Sequence, residues 1–124
     1  LIDDLIATAE ARGYTVAWHR GGPKAAWLPH CHTITLRLGA DEAHTLCALA
    51  HELGHAHYGD PPGHHGAQEL RADRFAAQLL VSPSEYRTAE LIYGAHPQLL
   101  ATELGVTKHI IETWQQLHTN VWAA

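Results

Sequence analysis

The sequence predicts an α+β fold: a small, mainly antiparallel three-stranded sheet packed on helices that occupy the rest of the chain. Three observations predict it. Ile34, Leu36 and Leu38 alternate with Thr33, Thr35 and Arg37, the period-two pattern of a half-buried strand. From residue 41 onward the apolar residues recur at three- and four-residue spacing, as on helices that bury one face. The chain has 124 residues, 46% hydrophobic and 17% charged, enough apolar material for one core and too few charges for a disordered tail.

The elements follow in order. Ile2, Leu5, Ile6 and Ala9 fall on one face of a helix over 2–12, and Gly13 stops it. Residues 14–18 read as a strand, and Gly21, Gly22 and Pro23 as a turn. A short strand over 25–28 ends at Pro29, and the alternating strand over 32–38 ends at Gly39. Asp41 is placed to cap a long helix running to 57 or 58. The Gly- and Pro-rich stretch 59–66 is a loop. A helix over 67–81 follows. Ser82 and Pro83 then start another, with Ser82 and Glu85 at capping-box spacing. Segments 96–103 and 107–116 form two short helices joined at Gly105. Trp18, Trp27, Trp114 and Trp122 are expected to bury area in the core or at an interface. A single domain over 1–124 is expected: 1–39 the first helix and sheet, 40–95 the long helices, 96–124 a helix-turn-helix-like pair.

Eight Lys and Arg against 13 Asp and Glu give a net charge of −5, which offers no general attraction for nucleic acid or an anionic membrane. No apolar run is long enough to span a bilayer. Asp3, Asp4 and Glu10 stand where an export signal needs basic and then apolar residues, and two cysteines make no disulfide framework, so a cytoplasmic location is expected. The 12 histidines are the outlying count. Five of them, His51, His55, His57, His64 and His65, fall within 51–65.

His51-Glu52-Leu53-Gly54-His55 is an H-E-x-x-H motif inside the long predicted helix. Residues four apart share a helix face, so both imidazoles can reach one Zn²⁺, and Glu52 lies a quarter-turn away, beside metal-bound water rather than the metal. His44, Cys47, Ala48, His51 and His55 project to this face, while Leu46, Leu49 and Leu53 project to the core. Gly54 costs roughly 1 kcal/mol in a helix interior unless a close backbone approach requires it.

Three placements compete for a third ligand. The compact metzincin pattern needs Gly at 58 and His at 61, and the chain has Tyr58 and Pro61. His57 projects to another face, whereas His64 and His65 lie in a loop that can reach the site. Glu69, on the next helix, shares a face with Ala72, Asp73 and Ala76, and a carboxylate at the end of a buried stripe needs a metal or a partner. Glu69 is the ligand this favours. Asp73, one turn on, is suited to accept the remaining ring N–H of a ligating histidine; direct ligation and an ion pair with Arg71 or Arg74 are the alternatives.

The segments LAHELGHAHYGD (49–60) and ELRADRFAAQLLVSPSEY (69–86) together resemble the ImmA/IrrE family of metallopeptidases. That family pairs an HExxH helix with a helix of the form E-x-x-A-[ND]-x-F-A-x-x-L-L-x-P, matched here by Glu69, Ala72, Asp73, Phe75, Ala76, Leu79, Leu80 and, displaced by one residue, Pro83. The resemblance implies a zincin-like helical core, one zinc ion on His51, His55 and Glu69, and Glu52 as catalytic base. It also implies a protein or peptide substrate, typically a DNA-binding repressor.

For the oxyanion of such a reaction Tyr58 is the candidate donor, with His57, His64 and His65 as alternatives. A peptide is expected to add to a free sheet edge, the strand over 32–38 being the first candidate. Two rival readings belong to other classes. One is a metal-binding regulatory protein without peptidase activity. The other is a DNA-binding helix-turn-helix in the last third, which Glu103, Lys108 and Glu112, the charged residues of 96–120, oppose by lacking a basic surface.

Overall fold

The computed structural model describes residues 1–63 and 65–123, with side chains described through Thr119. Its elements are α1 (Ile2–Ala11), β1 (Thr15–His19), β2 (Ala25–Leu28), β3 (Thr33–Arg37), α2 (Glu42–His57), α3 (Gly66–Leu80), α4 (Pro83–Tyr93), α5 (Pro97–Leu104) and α6 (Lys108–Ala123), with a 3-10 turn at Pro29–Cys31. The α+β class and the element order are those the sequence predicts; α6 runs on past the expected end at 116.

The sheet is mixed rather than mainly antiparallel. Its order is β1-β3-β2, with β1 parallel to β3 and β2 antiparallel to it. The physical reason lies in β3, whose Ile34 and Leu36 are completely buried and whose strand therefore takes the centre. Gly21 and Gly22, both at positive φ, let the chain turn away from β1, and Arg37 ties that turn to β3 by donating from Nη1 to the Gly22 carbonyl at 2.9 Å. The strand over 32–38 is thus no free edge. The edge beside the long helices is β2.

Asp41 caps α2 by accepting the His44 backbone N–H at 2.8 Å, and the His44 ring Nδ1 lies 2.8 Å from the same carboxylate. α2 packs on α1, α3, β2 and β3, and buries Leu46, Leu49, Ala50 and Leu53 in the core that the C-terminal helices share. Each such leucine contributes about 1.5–3 kcal/mol relative to exposure. Leu100, Ala101, Val106, Ile111 and Trp114 close the far side of the same core, and Gly105, left-handed at φ 72, ends α5. Trp27 is buried with them, but Trp18 is 47% exposed on the outer strand β1, because the core lies on the other face. His64 and the side chain of Trp122 lie outside the described residues. Among the described residues no helix is long and apolar enough to cross a membrane.

Candidate metal centre

Two helices supply the centre. His51 and His55 stand one turn apart on α2, and the loop that follows returns the chain so that Glu69, in the first turn of α3, faces them. One ligand atom from each of His51, His55 and Glu69 falls within a group spanning no more than 4.8 Å. Glu69 Oε2 is 2.8 Å from His51 Nε2 and its Oε1 is 2.9 Å from His55 Nε2, while the two Nε2 atoms are 3.1 Å apart.

The far side of each ring is held by a carboxylate. His51 Nδ1 donates to Asp73 Oδ1 at 2.8 Å, and His55 Nδ1 donates to Asp60 Oδ2 at 2.9 Å. With those protons on Nδ1, neutral rings turn two Nε2 lone pairs toward each other and toward the Glu69 carboxylate. Four acceptor atoms then converge with no proton among them. A cation satisfies that arrangement, and nitrogen and carboxylate donors of this kind suit a zinc ion with an open coordination position.

The electrostatics agree. Burial disfavours a charge on His51, yet the Asp73 bond and the nearby charges of Asp73, Glu52 and Glu69 outweigh it and hold its pKa above the ordinary value. Burial likewise opposes ionisation of Asp73, but its bonds to His51 and His109 prevail and keep its pKa low. The site draws positive charge.

Two grooves meet at the centre, both lined by Glu52 and Glu69. The larger, about 540 Å³, also runs past Lys24, His44, Cys47, His51, Asp73 and His109. The smaller, about 170 Å³, runs past Trp27, Leu28, His55, Pro61 and Pro62. Glu52 is buried where they join. Cys47 is a buried groove wall, with burial raising its thiol pKa.

Tyr58 lines neither groove. At the end of α2 its ring leans toward α3 and covers the Arg71 guanidinium, 4.1 Å from ring centre, with His57 against its edge. His57 itself is exposed and lies tilted against the Phe75 ring, and His65 is exposed just before α3. Two residues that the sequence did not single out complete the centre. Asp60, 3% exposed, holds His55 through one oxygen and the Arg71 guanidinium through the other, and its carbonyl accepts from Trp27 Nε1 at 3.1 Å. His109, on α6, bonds Asp73 Oδ2 at 2.9 Å. An aspartate five positions beyond the second histidine was the available signal for Asp60; nothing local marks His109.

Compared with known families, the chain matches the Peptidase_M78 model, described as an IrrE N-terminal-like domain, over residues 10–113, a span holding every residue named above at the centre. No curated protein matches it.

Proposed function

The chain belongs to the Peptidase_M78 family, a metallopeptidase family, and on that premise we propose that it is a zinc-dependent endopeptidase that cleaves protein or peptide substrates. The observation that carries the reading is the convergence of the His51 and His55 Nε2 atoms on the Glu69 carboxylate, with Asp73 and Asp60 fixing the outer nitrogens.

His51, His55 and Glu69 would hold one zinc ion. When bound, zinc supplies polarisation of the scissile carbonyl and lowers the pKa of water from 15.7 to about 7. Glu52, buried at the junction of the grooves, takes the proton of the attacking water and passes it to the leaving amine. Asp60 and Asp73 keep the two imidazoles in the tautomer that ligation needs.

The substrate's place follows from β2. Arg37 N–H donates to the Lys24 carbonyl at 2.9 Å, so in the alternating antiparallel ladder Ala26 and Leu28 bond to β3, while Ala25 and Trp27 turn their main-chain groups outward. A peptide in extended form can pair with that edge across the centre. The family resemblance makes a DNA-binding repressor the first natural substrate to try. The first turn of α6, which the helix-turn-helix reading would reserve for DNA, instead forms groove wall through Lys108, His109 and Ile110, with Thr107 just before it.

Zinc-loaded protein, chelator-treated protein and Glu52→Gln should be incubated with a denatured protein digest and the new termini counted by mass spectrometry. New termini with the first alone support the proposal. Equal cleavage by Glu52→Gln overturns it.

A further inference from the structure

The chain has two lysines, Lys24 and Lys108, and both line the larger groove at the metal centre. Lys24 immediately precedes β2 and Lys108 opens α6, so they reach the groove from separate elements. Both are exposed, and neither has an ion-pair partner among the described residues. The chain as a whole carries −5, so two unpaired cations in one groove run against its overall charge. Two of the groove's acids are held elsewhere: Asp73 by His51 and His109, and Glu69 by His51 and His55.

The smaller groove is lined by no lysine. Trp27, Leu28, Pro61 and Pro62 line it along with His55, and it reaches the same Glu52 and Glu69 from the other side. Strand β2 runs along both: Ala25, next to Lys24, lines the two alike, whereas Trp27 and Leu28 line the smaller alone. A peptide added antiparallel to β2 runs the other way, from Leu28 toward Lys24. Its residues before the scissile bond then lie beside Trp27 and Leu28, and those after it face the lysines.

We infer, resting on the endopeptidase reading, that the cleft selects peptides with an apolar residue on the N-terminal side of the scissile bond and carboxylate side chains on the C-terminal side. Lys24 and Lys108 are the specificity-determining residues for the acidic half. Their long stems let the ammonium groups follow a carboxylate without a fixed register, and their attraction is screened by salt.

The test uses zinc-loaded Glu52→Gln protein, in which binding is read apart from turnover, and labelled peptides of one sequence carrying Glu, Gln or Lys on either side of a Leu-containing centre. By fluorescence anisotropy, Glu on the C-terminal side should bind about fivefold to tenfold tighter than Lys at low ionic strength, the advantage shrinking with added salt. Adding Lys24→Gln and Lys108→Gln should remove the advantage, and Lys24→Glu with Lys108→Glu should reverse it. Arg87→Gln, an equal charge change outside the groove, should leave it intact. Equal binding of Glu and Lys peptides, an advantage confined to the N-terminal side, or one that survives loss of both lysines overturns the inference. Cleavage by zinc-loaded wild type is scored separately. Hydrolysis indifferent to peptide charge overturns the selectivity and leaves the peptidase standing, whereas acid-selective binding with no hydrolysis supports the charged cleft and overturns the peptidase.

Discussion

A Cβ placed on Gly54 would sit 3.0 Å from the Cα of Ala72 and 3.2 Å from its carbonyl oxygen. The two residues stand next to His55 and one turn beyond Glu69, so this close approach of α2 and α3 falls beside the candidate metal centre. Gly54→Ala gains about 1 kcal/mol of helix propensity, but the contact is with backbone, and forcing the helices apart costs about 1–3 kcal/mol. A net loss of stability in urea unfolding of the metal-free protein is expected, together with weaker zinc binding by competitive titration.

Glu52→Gln should retain zinc at one ion per chain and lose hydrolysis, whereas His51→Ala should lose the metal itself. Elemental analysis of the dialysed proteins distinguishes the two. Stripping zinc from the wild type should lower its Tm, since a ligand at about 100 times its Kd stabilises by about 2.7 kcal/mol.

Asp60→Ala removes a buried acceptor shared by His55 and Arg71. Zinc affinity is expected to fall roughly 10- to 100-fold. Stability of the metal-free protein should drop by about 1–3 kcal/mol, because the His55 ring N–H loses its partner. Arg71→Ala, which leaves the Asp60 bond to His55 in place, should cost less zinc affinity in the same titration.

The carboxyl of Asp41 is held below its ordinary pKa, chiefly by the His44 backbone N–H and then by the His44 side chain. A depressed carboxylate stabilises the fold above its unfolded pKa, and that contribution disappears as pH falls through the folded value. Wild type should therefore exceed Asp41→Asn in Tm at neutral pH, the gap closing in the acid range. Thermal melts from neutral pH to strong acid measure it, and a gap that persists unchanged at the acid end counts against the cap.

Burial raises the Cys47 thiol pKa, while Cys31 is exposed. Alkylation of the native protein at mild alkaline pH should mark Cys31 rapidly and Cys47 only on unfolding. Peptide mapping after timed quenching gives both rates.

Much of this could be read along the chain because it is local. The alternation of β3, the Asp41 and Ser82 caps, and the facing of His51, His55, Glu69 and Asp73 depend on spacings of two, three or four residues within single elements. What escaped depends on contacts between distant segments. The strand order follows from which strand most needs cover on both sides, and that competition involves the whole core. Asp60 lies in a Gly- and Pro-rich loop that reads as solvated, yet Trp27 and Arg71 enclose it. His109 reaches Asp73 from another helix, 36 positions away. Tyr58 projects toward the centre on a helical wheel, but at the helix end it follows Arg71 instead.

The outward main-chain groups of Ala25 and Trp27 also bear on how copies of this chain behave together. An unpaired strand edge is a template for any extended segment, including the same edge of another copy. Here the strand is four residues long, with Pro23 and Pro29 near its ends and a charged Lys24 at its start. A run so short and so interrupted limits self-templated growth into fibrils, leaving the edge open to brief, reversible visitors.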